Sequence, residues 1–134
     1  MKNRWLLGLV VLVVLTQFTG CGGGGGGPTD PSTAPVLSGI AVRPNPANAG
    51  ANMILEIQYV DVNADLNDGI AYITDSQGYS YTGQVSNAPG TSGTLVTTFA
   101  LHPLVKPGQL LFNIFVQDRS GNSSNTVYVT ITVS

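Results

Sequence analysis

The sequence predicts an all-β fold, two packed antiparallel sheets of about seven strands, on three observations. From Val36 onward, short runs rich in Val, Ile, Thr, Tyr and Phe recur between turn-forming clusters, and no segment shows a convincing amphipathic helical period. Within the clearest runs apolar and polar residues alternate, which gives each strand one face to bury and one to leave in water. The segment is roughly one hundred residues long, enough for two stacked sheets of short strands and too little for a second domain.

In chain order the strands read 36–43 (VLSGIAVR), 52–60 (NMILEIQYV), 70–75 (IAYITD), 79–85 (YSYTGQV), 93–101 (GTLVTTFAL), 110–118 (LLFNIFVQD) and 126–133 (TVYVTITV). In the second, Leu55, Ile57 and Tyr59 are expected inside, with Glu56 and Gln58 in water. The sixth sets Leu110, Phe112, Ile114 and Val116 against Leu111, Asn113, Phe115 and Gln117. The seventh sets Val127, Val129, Ile131 and Val133 against Tyr128, Thr130 and Thr132. The stretches between strands, such as PNPANAGA, DVNADLNDG and RSGNSSN, are dense in the residues that close turns.

Residues 1–20 are a different material. Lys2 and Arg4 lead into the apolar run Trp5–Leu15 and then TQFTG, the plan of a secretory signal peptide. At ~1.5 Å per helical residue the run reaches about half of a ~30 Å hydrocarbon core, too short for a permanent span. Residues 21–35 join Cys21 to six glycines, Gly22–Gly27, and then to PTDPSTAP, which reads as a flexible tether. No strand precedes the glycines, no helix follows and no lysine closes them, so a phosphate-binding loop is excluded. Without the leader the chain keeps Arg43, Lys106 and Arg119 against seven acidic residues, a net charge of −4 that argues against a nucleic-acid partner.

Cys21 is the only cysteine, so it has no disulfide mate in the chain, and it lacks the neighbouring histidine that would favour a reactive thiolate. FTGC, Phe18–Cys21, resembles the lipobox of bacterial lipoproteins, with Phe18 where that family usually has Leu. The resemblance implies cleavage before Cys21, acylation of its thiol (diacylglycerol, with palmitate-type chains) and a lipid-anchored place in the cell envelope, the membrane being a partner through the N-terminal lipid. Two or three chains anchor stably where one does not. Gly22 stands where some inner-membrane lipoproteins carry a retention Asp, which favours the outer membrane.

Two passages, Pro107–Val133 and Tyr59–Asp75, resemble the last hairpin and the second-strand, acidic-loop, third-strand unit of bacterial immunoglobulin-like and cadherin-like domains. The resemblance implies one immunoglobulin-like antiparallel β-sandwich over residues 36–134. The core tryptophan and cysteine pair of antibody domains are absent, Trp5 lying in the leader, so fibronectin type III and cadherin-like modules are as close. The implied role is a non-catalytic binding or structural module, in adhesion or in assembly of a surface or periplasmic complex. A calcium-binding module and an accessory subunit of an envelope enzyme are the alternatives.

One loop carries a sharp chemical expectation. Asp61, Asn63, Asp65, Asn67 and Asp68 supply the hard oxygen donors that calcium prefers. An EF-hand is excluded, because Leu66 stands where the turn glycine belongs and Tyr72 where the bidentate glutamate belongs. A sandwich-type calcium site, formed where Asp118 meets this loop at one end of the domain, is one reading. The other, the commoner use of these residues, is that Asp and Asn cap turns with their own side chains. His102 reads as a solvated loop histidine, since no nucleophile elbow accompanies it and no further ligands complete a zinc site; the expectation is no catalysis. Tyr79 and Tyr81 are expected to share a face, with Phe115 and Tyr128 projecting outward on adjacent strands. Such a surface suits contact with an envelope protein or carbohydrate, or serves only cross-strand packing.

Overall fold

The computed structural model describes residues 33–134; the leader 1–20, Cys21 and the tether as far as residue 32 lie outside the described residues. Seven strands form in the predicted order: β1 Val36–Arg43, β2 Asn52–Val60, β3 Ile70–Asp75, β4 Ser80–Gln84, β5 Ser92–Ala100, β6 Gly108–Gln117 and β7 Val127–Val133. They build an immunoglobulin-like β-sandwich in which the sheet β1-β2-β5 faces the sheet β4-β3-β6-β7. All strand pairs within the sheets are antiparallel. β4 stays beside β3 because a tight hairpin joins them, turning through Gly78 at φ 96°, a conformation glycine adopts without a Cβ clash.

The alternation read from the sequence fills the space between the sheets. Leu55, Ile57 and Tyr59 from one sheet and Leu110, Phe112, Ile114 and Val116 from the other are buried. The Phe99 and Phe112 rings meet edge to face across the layers, centroids 5.5 Å apart. Each fully buried side chain of this size contributes about 1.5–3 kcal/mol. Both seams between the sheets are closed by main chain. After β1 the chain crosses to the opposite sheet, where the Ala47 N–H donates to the Thr132 carbonyl at 2.9 Å and the Ala47 carbonyl accepts the Ser134 N–H at 2.8 Å. On the other seam Ser86 and Val96 exchange two 2.9 Å hydrogen bonds. Each bridge ties down one end of an edge that could otherwise template pairing with another chain.

The register assigns loops to two poles. Val36 pairs with Val60, Val60 with Ser92, Ile70 with Gln117, and Ile114 with Val127. The incoming chain, the β2–β3 loop, the β4–β5 loop and the β6–β7 loop therefore gather at one pole. The β1–β2 loop, the β3–β4 turn, the β5–β6 loop and Ser134 gather at the other. Residues 33–35, expected to be free tether, rest on the first pole instead: Pro35 is buried, with Thr33 and Ala34 half-buried.

Candidate metal centre

The β2–β3 loop begins at Asp61, fully buried where β2 leaves its sheet. Its backbone N–H donates to Thr91 at 2.7 Å, and its Oδ2 accepts the Asp65 N–H at 3.0 Å, closing a turn in which Ala64 takes φ 54°. The loop then runs hard against the end of β6. A Cβ on Gly69 would lie 2.9 Å from the Leu66 carbonyl oxygen and collide with that of Gln117, so only glycine lets the backbone pass there. This close passage sets the loop beside the β6–β7 turn. There Asp118 Oδ1 accepts the Ser120 and Asn122 N–H groups at 3.0 and 2.8 Å. The two loops are also zipped directly: Arg119 N–H donates to the Asp65 carbonyl at 3.1 Å, and the Ser120 hydroxyl donates to Asp65 Oδ2.

The result is a cluster of three carboxylates, Asp61, Asp65 and Asp118, with one oxygen from each lying within 4.8 Å of the others. Asp61 and Asp118 are buried and Asp65 half-buried. Turn capping accounts for Asp61 Oδ2 and Asp118 Oδ1. It leaves Asp61 Oδ1 and Asp65 Oδ1 buried with no hydrogen-bond partner, and Asn122 Oδ1, on a 5% exposed side chain next to Asp118, is equally unpartnered. Ionised carboxylates this close repel by roughly 3 kcal/mol per pair at an effective dielectric of ~20. Burial, and then the Asp65 carboxylate beside it, push the Asp61 carboxyl up. Asp65 also suffers burial, but the hydrogen bond from Ser120 and the neighbouring Asp61 outweigh it and hold its carboxyl below the usual range.

Of the six residues expected to ligate, the structure brings together Asp61, Asp65 and Asp118. Among the carboxylates expected there, Asp68 stands outside the cluster. Asn63 is exposed. Asn67 Oδ1 accepts the Ala88 N–H at 3.1 Å, tying down the β4–β5 loop, and Asp68, at φ 68°, accepts from Gln84 at 3.1 Å. Asn122 and Ser120 escaped the sequence reading, although both stand at alternate positions after Asp118 in a turn rich in side-chain oxygens.

The aromatic residues divide. Phe115 stacks on Tyr72 at 5.1 Å on the outer face of β3 and β6, and Tyr128 is 61% exposed on β7. Tyr79 and Tyr81 share a face, but it is the face packed against the core and not an outer contact surface. Tyr81 leans between the sheets onto Phe99, centroids 4.8 Å apart, and donates its hydroxyl to Asp75 Oδ2 at 2.7 Å; burial, then that hydrogen bond, push its phenol far up. Tyr79 stacks on His102 at 3.8 Å. His102 is accordingly half-buried, its Nδ1 accepting the Leu104 N–H at 3.1 Å, and not a solvated loop residue.

No protein-family model matches the chain, and no curated protein matches it. Among solved structures it is similar to the PKD domain of an M14-like peptidase from a Thermoplasmatales archaeon, with 17% identity and a TM-score of 0.43 over 74% of this chain and 94% of that one. It is also similar to a Niemann-Pick type C2 protein from the Japanese carpenter ant, with 6% identity and a TM-score of 0.47 over 75% of this chain and 93% of that one.

Proposed function

We propose that this protein is a non-catalytic, calcium-binding β-sandwich that serves as a binding or structural module of the bacterial envelope, held at the outer membrane by lipid on Cys21. The single observation that carries the calcium reading is the pair of buried carboxylate oxygens, on Asp61 and Asp65, that turn capping leaves without partners. A divalent cation held by Asp61, Asp65 and Asp118 would satisfy those oxygens and cancel the repulsion among them. The all-oxygen donor set suits calcium or magnesium over zinc, whose sites draw on His nitrogen or Cys sulfur beside any carboxylate. Magnesium dehydrates reluctantly and keeps several waters, whereas two of these three carboxylates are closed to solvent, so calcium fits better.

Thermal unfolding of the chelator-stripped domain tests this. Calcium at about a hundred times its dissociation constant should raise the melting temperature by about 10–20 °C, and Asp65→Ala should abolish the rise. An unchanged transition in the wild-type protein would remove the calcium reading. The envelope reading is supported by the sequence of residues 1–35 and has its own test. Mass spectrometry of the cell-derived protein should find an acylated N-terminal Cys21; an unmodified cysteine or a retained Trp5 segment would refute it. The outward Phe115 and Tyr128, among Thr and Asn side chains, are the surface offered to an envelope protein or carbohydrate in adhesion or complex assembly.

A further inference from the structure

The turn that supplies Asp118 to the cluster also holds the incoming chain. Asn125, seven residues after Asp118, grips the start of β1 at both of its peptide groups: the Leu37 N–H donates to Asn125 Oδ1 at 2.7 Å, and Asn125 Nδ2 donates to the Leu37 carbonyl at 3.0 Å. Asn122 Nδ2 reaches Asp118 Oδ2 at 3.4 Å and Thr33 Oγ1 at 3.3 Å, touching the cluster and the incoming segment with one amide. Ser124 fixes the rest of the turn to β6, donating its N–H to the Val116 carbonyl at 2.8 Å while its hydroxyl accepts the Val116 N–H at 2.9 Å. Residues 33–37 are thus held on this pole by side chains of the same turn whose first residue is a cluster carboxylate.

We infer that a cation at this centre fastens the N-terminal segment, residues 33–37, to the sandwich. The inference rests on the calcium reading above. With the cation bound, Asp61, Asp65 and Asp118 draw the two loops together and Asn122 and Asn125 keep their grip. Without it, repulsion among the carboxylates loosens the β6–β7 turn and, through Asn125, the start of β1. The cation thereby sets how firmly the domain is seated at the end of whatever precedes residue 33. Linkage makes the effect reciprocal, so a firmly held segment tightens the cation by the same factor.

Amide hydrogen exchange on the described domain, measured residue by residue, is the test. Saturating calcium should slow exchange at Leu37 about tenfold more than at Ile57 in the middle of β2, and Asn125→Ala should erase that difference while weakening calcium by no more than the same factor. If calcium binds but Leu37 and Ile57 respond alike, the coupling is overturned and the calcium site stands. If calcium does not bind, both fall. If Asn125→Ala leaves the Leu37 response intact, the turn is not the link and the inference fails.

Discussion

Each pole of the sandwich buries carboxylate, and the two poles treat it in opposite ways. At the pole where β3 ends, Asp75 caps its turn with Oδ1, accepting Gln77 and Tyr79 N–H groups at 2.8 and 3.0 Å, and gives Oδ2 to the Tyr81 hydroxyl. Both carboxylate oxygens there have donors, and Tyr81 passes the network on by accepting the His102 N–H at 3.2 Å. At the pole where the chain enters, Asp61 and Asp118 cap turns in the same way, but Asp61 Oδ1 and Asp65 Oδ1 have no donor and the three groups crowd one another. One carboxylate with three donors is a finished structural joint. Three carboxylates with donors for only part of their oxygens make a site that lacks positive charge.

The largest effect should come from breaking the finished joint. Asp75→Ala removes three hydrogen bonds to a charged acceptor and should cost about 3–5 kcal/mol, read by denaturant unfolding, to the same extent with calcium and with chelator. The opposite pole should respond with the opposite sign. Asp61→Asn removes one of the crowded charges, so in chelator it should stabilise the domain by about 1–3 kcal/mol, and its gain from calcium should vanish. A destabilised, still calcium-responsive Asp61→Asn would mean that turn capping is all Asp61 does.

The strands were legible because their pattern is local: alternation in β2, β6 and β7 states which residues lie inside, and Pro-, Gly- and Asn-rich stretches state where strands stop. The meeting of Asp61 and Asp65 with Asp118 was legible only as a possibility, since it depends on which loops share a pole. What stayed hidden was orientation. Asn67 and Asp68 have the right oxygens but are turned to Ala88 and Gln84, and sequence spacing cannot choose between a ligand and a turn cap. Tyr81 misled for a similar reason: β4 is a seam strand facing β5, where an aromatic two residues from another aromatic is as readily drawn between the sheets as left outside them. The grip of Asn125 on Leu37 spans 88 residues, beyond any local pattern.

Acidity should sharpen the contrast further. The folded Asp61 carboxyl titrates above its ordinary 3.8, so its contribution to stability is complete below that pH and is lost as pH rises through the raised value. Asp65, shifted down, contributes in the opposite sense, its share being lost as pH falls through its lowered value. In chelator, therefore, the stability owed to Asp61 should decline as pH is raised from 3.8, and calcium should offset that decline because its charge balances the ionised carboxylate. A pH series of unfolding curves with and without calcium checks this. The smallest effect is expected on the outer face: Tyr128→Ser should change stability by no more than about 0.5 kcal/mol, so a loss of partner binding in that variant would report the surface and not the fold.

Calorimetric titration of calcium into the chelator-stripped domain, run in parallel on the wild type, Asp61→Asn and Asp75→Asn, tests the contrast between the poles most directly. The account predicts saturable binding to the wild type and to Asp75→Asn, and none to Asp61→Asn. Absence of saturable binding to the wild type, or equal binding by Asp61→Asn, would contradict it.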